Sequence, residues 1–233
     1  MNDNSLSLAF CDTLNLDDDI VASLSELSEV GLDSILEEGI LKDIPFLSTV
    51  RAVYKIGNTI KERHNIKKLA VFINEINQNV ISEEKRHQYQ EKLNSNEEFR
   101  NQEMEYLIVL IDRYISLDKP RMLAKLYLAY LDGYIVWEEM IMYAEVIDRF
   151  ILLDSRNLLL ETKKYIVHRN IGGESIARLV ALGLLAEETN KTPFNYNNNG
   201  SLEMTLESMQ RFQVMDRVYI KTEFGEKLAN ILR

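Results

Sequence analysis

The sequence predicts a mainly all-α protein, a multi-helix bundle that closes with a small winged-helix-like α+β subdomain. Three observations lead there. Proline (3) and glycine (9) are scarce among 233 residues, which disfavours a turn-rich all-β fold. Apolar residues recur at three- and four-residue spacing through most of the chain. The last sixty or so residues then change character, from helix to an Asn-rich loop, strand-like runs and a final short helix. A composition of 46% hydrophobic and 27% charged residues is globular and excludes a disordered or fibrous protein.

In chain order, residues 1–16 are weakly patterned and are expected to form an acidic tail, flexible or docked. The helical bundle should span 17–168 and the winged-helix-like subdomain 169–233. Asp17 or Asp18 can cap a helix carrying Ile20, Val21, Leu24 and Leu27, and Gly31 stops it. A short helix follows around 32–42. Pro45 then opens an amphipathic helix expected to run from Phe46 to about Arg63, with Phe46, Val50, Val53, Gly57 and Ile60 on one stripe. Further helices are expected at about 66–77, from Ser82 (very polar, EEKRHQYQEKL), at 97–117, at 121–132 ended by Gly133, at 136–152, and from Asp154 or Ser155 to near Val167. The tail reads as a helix at 174–182, strand-like runs at 202–206 and 218–221, Thr222 as an N-cap, and a helix at 223–232. The short turns favour antiparallel packing of neighbours.

The formal charge is −10, and it is uneven. Residues 1–41 hold ten acidic side chains and no Lys or Arg, whereas 42–68 sum to +5. Lys42, Arg51, Lys55, Lys61, Arg63, Lys67 and Lys68 therefore form the candidate surface for a partner or a polyanion. Their charges face solvent, pack against the acidic segment, or are masked by it. As a basic amphipathic helix, 46–63 is also suited to lie on an acidic membrane surface without spanning it. In the tail, Arg178 is the basic contact of the helix that a winged-helix protein places on its target. Residues 174–233 sum to −1, so protein contact is favoured there over base reading, and any nucleic-acid binding should be weak and non-specific.

No catalytic constellation stands out, so the expectation is a non-enzyme without cofactor or metal. Glu138, Glu145 and Asp148 are the rival: carboxylates that can hold a divalent ion, or else a solvated helix face. His64, His87 and His168 share no ligand spacing. Gly172-Gly173 reads as a linker turn before a helix. Tyr114, Tyr127 and Tyr130 follow helical spacing and read as core. The lone Cys11 fits a reducing, cytoplasmic setting. The start of the chain lacks the basic region of a signal peptide, and no apolar run approaches a membrane span.

Two stretches carry a resemblance: KDIPFLSTVRAVYKIGNTIKERHNIKKLAVFI (42–73) and LAKLYLAYLDGYIVWEEMIMYAEVIDRF (123–150), the latter followed by LVALGLL (179–185) and YIKTEFGEKLANIL (219–232). Together they resemble a group of uncharacterised bacterial helical proteins with a winged-helix-like C-terminus. The 123–150 stretch is also similar to helical TerB-like domains through Leu131-Asp132-Gly133 and the acidic helix after it. The resemblance implies a bacterial or phage accessory protein connected with phage conflict; with no catalytic constellation in the chain, the expected role there is an interaction or regulatory component whose partner is another protein or a second copy. The alternatives are a DNA-binding winged-helix regulator and a membrane-surface effector.

Overall fold

The computed structural model describes residues 4–13, 19, 22, 44–53, 59–79, 82–160, 166–167, 172–188 and 218–233, and these are mostly helical. The chain forms two compact units, Met1–Arg149 and Phe150–Arg233.

The first unit contains α1 (Asn4–Thr13), α2 (Pro45–Val53), α3 (Ile60–Gln78), α4 (Glu83–Ser95), α5 (Glu97–Arg113), α6 (Asp118–Leu131) and α7 (Trp137–Arg149). α3 lies at its centre, packed on α2, α5 and α6. Leu69 through Ile73 are buried without a break, so this part of α3 is enclosed on all sides rather than along one stripe. α6 in turn packs on α7. It ends where Gly133 takes φ +72°, a left-handed turn that glycine adopts at least cost. The core is rich in aromatic rings. Phe10 meets Phe46, Phe72 and Tyr127, and Tyr127 continues through Tyr130 to Trp137 and Tyr106, with successive ring centres 5.0–6.4 Å apart.

Two expectations about this unit change. Residues 4–13 are not a flexible tail but a docked helix whose Ala9 and Phe10 are buried. A single large ring anchors it, because Phe10 reaches three core aromatics. Thr13 closes the contact by accepting the Phe46 N–H at 2.9 Å. The basic helix expected over 46–63 is not continuous. Thr59 is extended, with ψ 156°, and starts α3 with a capping box. Its hydroxyl accepts the Glu62 N–H, while the Glu62 carboxylate accepts the Thr59 N–H at 2.8 Å. Thr-x-x-Glu outweighs the amphipathic period that runs through it. Residues 54–58 and the helices expected within 20–42, apart from positions 19 and 22, lie outside the described residues.

The second unit contains α8 (Leu152–Leu160), β1 (Ile166–Val167), α9 (Gly173–Ala181), β2 (Leu185–Glu187), β3 (Val218–Lys221) and α10 (Glu223–Leu232). The strands form an antiparallel sheet in the order β1-β3-β2, with Ile166 opposite Tyr219 and Leu185 opposite Lys221. The unit begins at Phe150, earlier than the expected boundary at 168/169. The pairing of β1 with β3 and the packing of α8 on α9 and α10 draw these residues in. Thr222 caps α10 as expected, accepting the Gly225 N–H at 2.9 Å. The expected run at 202–206 lies outside the described residues.

Candidate functional site

The basic segment divides according to which side of α3 each residue occupies. Lys61, His64, Asn65 and Lys68 share one side of the helix, at spacings of three and four, and this side meets the C-terminal end of α5. That end carries carbonyls with no partner inside the helix and the negative pole of its dipole. Lys68 Nζ donates to the carbonyls of Asp112 and Tyr114, both at 2.8 Å. His64 Nε2 lies 2.8 Å from the Ile115 carbonyl, Asn65 Nδ2 donates to Asp112 Oδ1, and Lys61 stands 3.9 Å from Asp112. Two of the seven expected cations, Lys61 and Lys68, therefore lie against the end of a neighbouring helix.

Lys68 leaves the candidate surface altogether. It is 1% exposed, and burial pushes its ammonium below the ordinary lysine value against the opposing pull of Asp112. Lys61 and Arg63 are exposed, Lys67 and Arg51 are half-buried, and Lys42 and Lys55 lie outside the described residues.

Beside this face an open groove of about 380 Å³ runs between α2, α3 and α5. Val50, Leu69, Ile108 and Ile111 form its floor, and half-exposed Val109 projects from α5. Asn65, Glu105, Asp112 and Arg113 form its rim. Arg113 is already engaged by Asp148 at 2.5 Å, and Asp112 by Lys61 and Asn65, whereas Glu105 is exposed. Within the helices expected at 66–77 and 97–117, the apolar spacing of Leu69, Ile108 and Ile111 marks them as core. That they floor a groove depends on the spacing of three separate helices, for which local periodicity carries no signal.

Two of the three rival carboxylates, Asp148 and Glu145, face cations of the protein itself, and Glu138 lies one turn or more before them on α7. Asp148 holds Arg113, its carbonyl accepts Lys119 at 2.6 Å, and Glu145 lies 3.9 Å from Arg149. Among the described residues no group of three His, Cys, Asp or Glu side chains is placed to hold a metal ion. No described helix is long and apolar enough to cross a membrane. His87 is paired within α4 with Glu91, and Gly172 forms the N-cap of α9. His168 and the Cys11 side chain lie outside what is described. Tyr114, Tyr127 and Tyr130 are buried, as their spacing predicts, and burial raises all three phenols above their ordinary value.

In the second unit, Arg178 is held within its own fold. Its guanidinium makes a two-pronged bond to Asp154, at 2.5 and 2.9 Å, and Ser175 donates to the same carboxylate at 2.5 Å. Asp154 is 1% exposed, and the Arg178 bond holds its carboxyl below the ordinary value. The expected contact residue therefore supports the α8–α9 packing. Set against known proteins, the chain matches no family model, no curated sequence and no solved structure.

Proposed function

We propose that this protein is a non-catalytic interaction or regulatory subunit and that the groove between α2, α3 and α5 receives a basic amphipathic helix of a partner protein. The groove carries this reading. Its floor is apolar, and its volume falls within the range of binding clefts, roughly 300–1,000 Å³. Two of its rim charges are spoken for by Arg113–Asp148 and Lys61–Asp112, so exposed Glu105 selects a cation on the visitor. Apolar residues of the visitor at i, i+3 and i+4 seat on the floor beside Val109. The resemblance of 42–73 and 123–150 extends the proposal to a cytoplasmic accessory component of bacterial or phage anti-phage defence.

A designed peptide tests it: a helix with Leu at heptad a and d positions and Lys elsewhere, compared with a Glu-substituted twin. Binding of the Lys peptide should shift the methyl resonances of Val50, Leu69 and Ile108. Val109→Asp should abolish the shifts, and the Glu twin should leave them unmoved. Equal binding of both peptides, or shifts confined to other residues, refutes the reading.

One observation favours a second reading. Among the described residues, the strand order β1-β3-β2, with α9 between β1 and β2 and α10 after β3, supports a winged-helix reading. On that reading the unit binds DNA, and Arg178→Ala destroys sequence-specific binding. Polyanion binding by the basic segment instead is weak, falls steeply with salt, and disappears when Arg51, Lys55, Lys61 and Lys67 become Glu.

A further inference from the structure

Four rings of the first unit stand in single file. Trp137, the chain's one tryptophan, is half-buried at the start of α7 and partly open to solvent. Its ring centre lies 5.3 Å from that of Tyr130, Tyr130 lies 5.8 Å from Tyr127, and Tyr127 lies 6.1 Å from Tyr89. Rings at these separations are in contact, so an electron crosses each gap in a short step. Indole and phenol are the most easily oxidised of the side-chain rings. The file therefore joins one donor that meets solvent to three that are buried. The far end also holds a base. Tyr127 donates to Glu103 Oε1 at 2.5 Å, and Tyr89 donates to the same oxygen at 2.7 Å. Glu103, on α5, is fully buried.

That base decides where an oxidising equivalent stops. A phenol that gives up an electron must give up its proton too, because the protonated radical is a very strong acid. Burial and the Glu103 charge raise the Tyr127 phenol well above its ordinary value, so it keeps its proton until an electron leaves. Glu103 then takes the proton along a hydrogen bond already made. The Tyr89 and Tyr127 oxygens touch and either can donate, so the Tyr89 hydroxyl is placed to turn toward the bared oxygen. Tyr106 also neighbours Trp137, at 5.8 Å, but among the described residues its hydroxyl has no hydrogen-bond partner. We propose that the first unit is a one-electron relay: a dissolved radical oxidant, of the class of the carbonate or azidyl radical, takes an electron from Trp137, and the deficit comes to rest as a tyrosyl radical on Tyr127. The oxidant gains one electron, and the indole becomes a radical cation. The indole recovers an electron from Tyr127 through Tyr130, while the Tyr127 proton passes to Glu103. What remains is intact Trp137, a neutral Tyr127 radical and a protonated Glu103 carboxyl.

Pulse radiolysis of the full chain tests the relay, with azidyl radicals, which oxidise indole in preference to phenol. In the unmodified protein the indole radical absorption should decay as the tyrosyl absorption grows, at a rate independent of protein concentration. That rate should fall in heavy water, because a proton moves with the electron. Tyr127→Phe should remove the growth, and Glu103→Gln should slow it by about a hundredfold, the loss expected when a positioned base is removed. Tyr106→Phe should leave it unchanged. The concentration and heavy-water measurements use the unmodified protein, so they decide even where a variant does not fold. The proposal is overturned if no tyrosyl absorption grows in, if its rate scales with protein concentration or is the same in heavy water, or if folded Tyr127→Phe or Glu103→Gln behaves as the unmodified protein does.

Discussion

Replacing Gly225 with alanine should destabilise the second unit by about 2 kcal/mol. An added Cβ stands 2.1 Å from the Leu184 carbonyl oxygen and 2.9 Å from its carbon, where comfortable contact is about 3.5 Å. The obstacle is backbone, so α10 must retreat by about an ångström. Two bonds stretch with it: Thr222 N–H to the Leu184 carbonyl (3.0 Å) and the Thr222 hydroxyl to the Gly183 carbonyl (2.7 Å). Overpacking costs about 1–3 kcal/mol, and each weakened hydrogen bond up to about 1 kcal/mol. Alanine's better helix propensity returns about 1 kcal/mol. For a unit spanning 150–233, a net 2 kcal/mol lowers Tm by roughly 8–16 °C. Differential scanning calorimetry reads this directly. Gly183→Ala is the control. It meets no atom within 4 Å and bears only the strain of φ +73°, about 1–2 kcal/mol. An unchanged or raised Tm for Gly225→Ala would show that the close approach to Leu184 is not a constraint.

Three further outcomes are expected. Phe10→Ala should cost about 3–5 kcal/mol of first-unit stability and detach α1, seen as rapid proteolysis near residues 4–13; a protected N-terminus contradicts this. Lys68→Met should cost about 1.5–3 kcal/mol by leaving the Asp112 and Tyr114 carbonyls bare. Because the folded protein holds the Lys68 proton less tightly than the unfolded chain, stability should climb as pH rises toward 10.5. Denaturant titrations should show this climb reduced in the Met variant. Asp154 has the acidic counterpart: its lowered value contributes stability above pH 3.8 that disappears as pH falls through the folded value. Asp154→Asn should flatten the acid transition of the second unit, and an unaltered acid limb in circular dichroism argues against the Arg178 bond as its source.

Where local chemistry decides, residues foretell structure well. Thr222 as a cap, Gly133 as a stop and the tyrosine spacing of α6 all appear as the sequence implies. The failures share a cause. α1 forms because Phe10 finds partners 36 and 62 residues away, a contact no local period records. Strands β1 and β2 are two and three residues long and exist through pairing with β3. The charge of Lys68 is visible, but its burial depends on where α5 ends. The basic residues were legible as a group. Their division between a helix cap and a solvent face was not, since it follows from the rotation of α3 against α5.

Trp137 is the protein's single tryptophan, and it stands between Tyr106 and Tyr130, at 5.8 and 5.3 Å. Excitation energy absorbed by those phenols drains to the indole across such distances. Tryptophan emission is therefore a private optical channel of the first unit: it registers changes around α5, α6 and α7. Excited at the red edge of indole absorption, beyond the phenol band, it reports the indole's own surroundings within the first unit. Paired with circular dichroism, which sums both units, the one indole singles out what happens in the first unit without a label.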